Sequence, residues 1–523
     1  MSDLASTVEK TLGSEAAQQY AAAGRRAQEA KMQKIERTCA PMVAWGVFVF
    51  LLASPAVPQE GKSPAGKIPI TTTSEEARQL YLKSRNLAEN LRATDSRAIL
   101  EQAVAKDPSF ALAHLMLANT AGTAKEFFEA MSRAKAAASK VSEPEQLMIL
   151  GQDAALRGDP AGQKSQLTKL VGLYPNDERA HNLLGTYCFG QQDYAGAVAH
   201  LQKATQVNPS FPPAYNMLGY SHRFLRHYAE AEKAFQKYIT LIPSDPNPYD
   251  SYAELLLKMG RFKESIAQYE KALSVDPNFV ASYIGISIDQ TLLGSPDQAR
   301  GALVKLAEKA RNVGERRQAA FWTAASYVHE GAYDKALQAI QGAYALAEKD
   351  GDKASQSGDL NQMGDILLEA GKPDEAAAKY AQSVEMINGA SVPEEVKAAT
   401  RRQGLFDEAR VALARKDVST AKLKADAYAK EVAVKKVPFE VRQQHEINGL
   451  IALQGKDHAR AAAELLQANQ QDPRVLYHLG LAYQGQGDAA KAKEALAAAA
   501  DFNGLSFNYA YVRTKAQQAL AKG

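Results

Sequence analysis

The chain has 523 residues, 46% of them hydrophobic, and 62 Lys and Arg against 59 Asp and Glu leave a formal net charge of +3. That balance, with no long block of one sign, excludes a surface built to track a phosphate backbone and argues against nucleic acid as a partner. Two cysteines, Cys39 and Cys188, exclude a disulfide framework and a thiolate metal cage. The chain is too long for a single core, and its abundant Ala with 22 Tyr against 2 Trp suits helices packed at close range, so an all-α fold is expected.

Residues 1–31 read as an extension upstream of a second initiator, Met32, or alternatively as a helical tail on the cytoplasmic side. From Met32, Lys34 and Arg37 precede the uncharged run Pro41–Ala53, and the small residues Ser54 and Ala56 follow. This resembles a secretory signal peptide over 32–56, cut before Val57, because the run is shorter than the roughly 20 residues of a membrane-spanning helix. An uncleaved inner-membrane anchor is the alternative. The exported form is expected in the periplasm or outside the cell. Residues 57–74, rich in Pro, Gly and Thr and without helical periodicity, read as a linker.

From residue 75 the chain repeats itself. The turns "RGDPAG", "QQDYAG", "RHYAEA", "GRFKES" and "GSPDQA" begin at Arg157, Gln191, Arg226, Gly260 and Gly294, and Pro175, Pro209, Pro243 and Pro277 keep the same period of 34. Each proline ends one helix and lets the next start at a new angle. Gly185, Gly219 and Ala253 are placed where one helix must approach its partner closely, with Ala197, Ala231 and Ala272 opposite. Tyr215, Tyr249 and Tyr283 are expected to fill the space between pairs.

With Tyr215, Leu218, Gly219, Ala231, Phe235 and Pro243 in these positions, the pattern resembles the tetratricopeptide repeat, a pair of antiparallel helices. The resemblance implies a right-handed superhelical solenoid in which each pair is stabilised by its neighbours. It is regular over 75–312 and irregular over 313–500, where spacings between about 32 and 45 imply longer helices or insertions such as "EKDGDKASQSGD" and "INGASVPEEV". About twelve repeats are expected, and 501–523 reads as a C-terminal capping helix.

No catalytic constellation is legible. "GQGDAA" at Gly485 occupies a repeat turn with no strand before it, "GISID" lacks the second glycine of a nucleophile elbow, and "HEINGL" has no second histidine one turn on. The reading is of a non-enzymatic chain without cofactor or metal. The family resemblance implies a function in binding protein or peptide partners on the concave face, to which the first helix of each pair contributes. The stripes one turn from the packing face are Asn182, Thr186 and Phe189; Asn216, Tyr220 and Arg223; Asp250, Glu254 and Leu257; and Ile284, Ile288 and Thr291. Each runs i, i+4, i+7 along one face. The lysines of the clamp by which some family members hold a terminal carboxylate are missing. Arg223, the only cation in these stripes, is expected to orient an acidic group of the partner, with little effect on folding if replaced. Asp250 and Glu254 are the one acidic pair that a glycan-cleaving enzyme could use.

Overall fold

The computed structural model describes residues 66–522, and the readings of residues 1–31, the signal segment and the cut before Val57 lie outside them. Twenty-five α-helices follow one another without a strand among the described residues. Regular pairs come first: α1 (Glu75–Glu89) and α2 (Ala93–Lys106), α3 (Ala111–Asn119) and α4 (Ala124–Ala137), α5 (Glu143–Leu156) and α6 (Pro160–Leu173), α7 (Glu178–Gly190) and α8 (Tyr194–Val207). The period of 34 continues through α9 (Pro212–Phe224) and α10 (Tyr228–Leu241), α11 (Asn247–Lys258) and α12 (Phe262–Val275), and α13 (Ala281–Leu292) and α14 (Pro296–Lys309). The second half holds α15 (Val313–His329) and α16 (Tyr333–Lys349), α17 (Lys353–Glu369) and α18 (Pro373–Asn388), and α19 (Glu394–Ala414) and α20 (Val418–Lys435). Last come α21 (Pro438–Gln454) and α22 (His458–Leu465), α23 (Pro473–Gln486) and α24 (Ala489–Ala500), and an unpaired α25 (Tyr509–Lys522).

The turn inside each pair explains the period. One residue there is left-handed, as at Gly158, Gln192, Arg226, Gly260 and Gly294, at intervals of 34. An acidic side chain commonly starts the second helix: Asp159 and Asp193 each accept a backbone N–H three residues on, satisfying a donor that the helix itself cannot. Within a pair the helices touch through small residues. A Cβ at Gly219 would lie 2.5 Å from the Phe235 ring, and Ala197, Ala231 and Ala272 are fully buried. The tyrosines have another role than the one read from sequence. Tyr215 and Tyr249 are only half-buried, and Tyr215, Tyr249 and Tyr283 each donate a hydroxyl to the carbonyl of the proline six residues earlier, closing the loop between repeats. His114 and His181 bond the carbonyls of Pro108 and Pro175 in the same way.

The irregular spacing of the second half comes from helix length: α15, α16 and α17 have 17 residues each and α19 has 21. "EKDGDKASQSGD" is therefore not an inserted loop, since only Asp350–Asp352 separates α16 from α17.

Neighbour stacking carries the chain round until it meets itself. Thr94 donates to Glu315 (2.9 Å), Arg311 pairs with Asp95 (2.9 Å), the Ala124 N–H donates to Asp352 (3.0 Å), and Gln192 donates to Asn469 (3.0 Å). Helix α25 does more than cap α24. It crosses to α15, burying Tyr509, Tyr511 and Val512, with the Phe507 ring 4.9 Å from Phe321 and Gln362 donating to the Tyr511 hydroxyl (2.7 Å). The largest apolar cluster thus joins repeats six to nine to the C-terminal segment.

Candidate functional site

The stripes expected on one concave face separate in the structure. Thr186 is exposed, and Phe189 packs edge-on against Tyr194 (5.4 Å) and Phe224 (5.3 Å). Asn216 is buried and its Oδ1 has no hydrogen-bond partner. Leu257, Ile284, Ile288 and Thr291 are all buried, so the apolar end of the series is core. The reason is the returning chain: the C-terminal segment and the opposite turn of the solenoid cover what an isolated run of repeats would expose.

Tyr220, Arg223, Asp250 and Glu254 come together, but as partners of one another. Arg223 Nη1 lies 3.0 Å from Glu254 Oε2, and its guanidinium sits over the Tyr220 and Phe224 rings at 4.7 and 5.1 Å. The Tyr220 hydroxyl donates to Glu254 Oε1 (2.9 Å). The expected free cation is therefore committed to the next repeat, and its replacement is not neutral. Arg223→Glu is expected to lower stability by about 2 kcal/mol or more, since it removes a largely buried partner and sets a like charge against Glu254. Urea midpoints of the two chains check this, and equal midpoints would show that the pair contributes nothing.

Asp250 accepts from Ser282 Oγ (2.6 Å) and borders a cavity of about 320 Å³ between the two turns of the solenoid. Burial, and then the neighbouring Glu254 charge, push its carboxyl up to about 8. Since the unfolded carboxyl titrates near 3.9, the native state holds the extra proton between these values and stability falls as pH rises through that window. Asp250→Asn keeps the acceptor and removes the titration. It is expected to be close to neutral at about pH 3.5 and to gain on the parent as pH rises, by at least about 1 kcal/mol at pH 9. Unfolding midpoints at the two pH values measure the difference. Both carboxylates of the acidic pair border this cavity, but each is tied into the internal network, Asp250 to Ser282 and Glu254 to Tyr220 and Arg223.

Asn182 points elsewhere, to a groove of about 950 Å³ at the N-terminal end of the array. Tyr81 and Leu82 on α1, Met116 on α3, Met148 on α5 and Leu183 on α7 form its apolar wall, with Phe211 beyond. Its charged rim is internally matched: Arg179 binds Glu89 through Nε (2.6 Å) and Nη2 (3.1 Å). The Asn182 Oδ1 in this wall has no hydrogen-bond partner.

The other side of the groove is the segment read as a linker. Residues 67–73 form no helix, yet they lie docked across four repeats. The N–H of Ile68 donates to Asp177 (2.9 Å), that of Thr71 to Glu145 (2.8 Å) and that of Thr73 to Asp107 (3.0 Å), while Lys67 binds Glu178 and the Asn176 carbonyl. Burial alone would push the Asp107 carboxyl up, but the bonds from Thr72, Ser109 and Thr73 together outweigh it and hold it at about 2. Sequence reasoning missed this strap because it lacks a helical period. The alternation of Ile68 and Ile70 before a run of threonines was the available signal for an extended, half-buried chain.

Elsewhere the polar groups are structural. Among the described residues no group of three or more His, Cys, Asp or Glu is placed to hold a metal ion. Cys188 is buried, and burial raises its thiol. His445 bonds Glu464 (2.7 Å). No helix of the described residues is long and apolar enough to cross a membrane.

Two family models, both described as tetratricopeptide repeat, match the chain, one over residues 182–246 and 293–352 and the other over 247–279 and 473–503. A search of curated proteins finds no match. Among solved structures, a tetratricopeptide repeat protein from Parabacteroides merdae is 16% identical, with a TM-score of 0.35, covering 50% of this chain and 99% of its own. A thermophilic repeat protein of Thermus thermophilus is 20% identical over 34% of this chain and 94% of its own, at a TM-score of 0.29. YrrB, described as having an unusual peptide-binding site, is 17% identical over 34% of this chain and 91% of its own, at 0.24. Consecutive helix pairs in contact through glycine and alanine, at a period of 34 in the first half, form a solenoid of tetratricopeptide-type repeats, and the family's models match stretches in both halves.

Proposed function

We propose that the chain is a non-enzymatic scaffold whose partner-binding site is the N-terminal groove between the strap and helices α1, α3, α5 and α7. Proteins of this repeat family generally mediate protein–protein interaction, and the groove has the form such a role needs: an apolar wall and a rim of matched charges. The observation that carries the reading is the open volume of about 950 Å³ beside Asn182, in contrast to the stripes of repeats five to seven, which the chain fills itself. An extended peptide with apolar side chains fits that shape and chemistry. The signal-like segment 32–56 supports an exported chain, with partners among envelope proteins.

Met116 and Leu183 are half-buried in the groove wall at the margins of two core clusters, so Met116→Glu with Leu183→Glu puts charge into the wall, and unfolding midpoints measured beside binding separate a lost groove from lost packing. The parent chain is expected to retain a defined set of proteins from an envelope extract and the double variant to lose that set, with unchanged circular dichroism. Retention of the same set by both chains refutes the groove. Export is tested separately by sequencing the mature N-terminus, where Val57 is expected and an intact Met32 overturns it.

A further inference from the structure

The strap shows in detail what this end of the array binds. Asp107, Glu145, Asp177 and Glu178 are each at least 96% buried, and each accepts a bond from the strap. Asp107 and Asp177 divide their oxygens: Oδ1 caps the backbone of the repeat itself, at Ser109 and at Arg179 and Ala180, while Oδ2 accepts from the strap. The spacing matches an extended chain. A rise of roughly 3.3 Å per residue carries the strand about 10 Å from Ile68 to Thr71, which is the width of packed helices. Ile68 reaches the core cluster of repeats three to five and Ile70 that of repeats one to three. The strap itself is half-buried, with Thr73 exposed. Its departure frees Asp107 Oδ2, Asp177 Oδ2 and Glu145 Oε1 to accept from other N–H donors, while Asp107 keeps Ser109, Asp177 keeps Arg179 and Ala180, Glu145 keeps Ser142 and Glu178 keeps Arg179.

We propose that the strap is an internal stand-in for the partner, and that the carboxylate ladder of repeats two to four takes in its place an extended segment of a partner protein. That segment has a cation followed by β-branched apolar residues at alternate positions, with free backbone N–H groups where Ile68, Thr71 and Thr73 now donate. The proposal rests on the groove reading above and extends its site to the seat of the strap, which joins the groove when the strap lifts. Binding is then competitive, since the strap must lift before the partner settles.

The test uses a fluorescent peptide of residues 66–74 and the full-length chain. Ile68→Asp with Ile70→Asp unseats the strap without touching the ladder. The unseated variant is expected to bind the peptide at least tenfold more tightly than the parent, and adding Glu145→Gln to that variant is expected to weaken binding several-fold. If the double aspartate variant loses its helical signal, Thr71→Val with Thr72→Val is the milder substitute, removing the hydroxyl bonds to Glu145 and Asp107. Equal binding by parent and variant, or none by a folded variant, overturns the proposal. So does a parent that sediments as a dimer and a variant that sediments as a monomer, because the strap would then serve a second copy. These failures leave the groove reading standing if Met116→Glu with Leu183→Glu still abolishes capture, so the two are told apart.

Discussion

Arg402→Met is expected to destabilise the chain by about 3–5 kcal/mol, the largest effect anticipated for one side chain outside the helix contacts. Arg402 on α19 reaches Glu440 on α21 through Nε at 3.0 and 3.1 Å and through Nη2 at 2.7 Å, and both side chains are almost wholly out of water. Removing the guanidinium leaves a buried carboxylate with its charge uncompensated. Desolvation sets the cost, so the pair itself is not the source of stability. Arg402→Met combined with Glu440→Leu should therefore recover most of the loss. Urea unfolding of the single and double variants decides the matter. A single variant within about 1 kcal/mol of the parent would mean that water reaches Glu440.

Gly314→Ala is expected to cost about 3 kcal/mol, the upper end for overpacking, because the obstacle is backbone and cannot rotate away. A Cβ at Gly314 would lie 2.1 Å from the carbonyl oxygen of Gly122, six helix pairs away along the chain but in contact across the solenoid. The two turns must part, and with them go the bonds of Asn312 and Glu315 to Thr94 and of Arg311 to Asp95. X-ray scattering should show a larger radius of gyration together with the lower unfolding midpoint. Gly301→Ala is the control: Gly301 faces open space within α14, and alanine there should be neutral or stabilise by roughly 0.5–1 kcal/mol. A Gly314 variant that behaves like the Gly301 variant would show that the turns do not touch.

The pairing of helices was legible because each repeat is specified by its own residues and those of its neighbours. Gly219 against Phe235, the buried alanines and the left-handed turn residues all act within or between adjacent pairs, so a period of 34 carries the information. The site was not legible to the same degree. Arg223 looked free because Glu254, its partner, lies in the following repeat at a position judged part of the binding face. The stripe from Ile284 to Thr291 looked exposed because Phe507, Tyr509 and Tyr511, which share its core cluster, lie far along the chain.

What the sequence by itself determined is the all-α repeat, its period and the faces on which adjacent helices meet, since these follow from side-chain size and turn chemistry read locally. Only the tertiary structure decided which concave residues stay open. Small rotations between neighbouring pairs add up until Thr94 meets Glu315 and α25 lies against α15, and no local pattern encodes a sum over five or more repeats. The same accumulation leaves the first four repeats with a groove, and an extended strap without any helical period forms one of its walls.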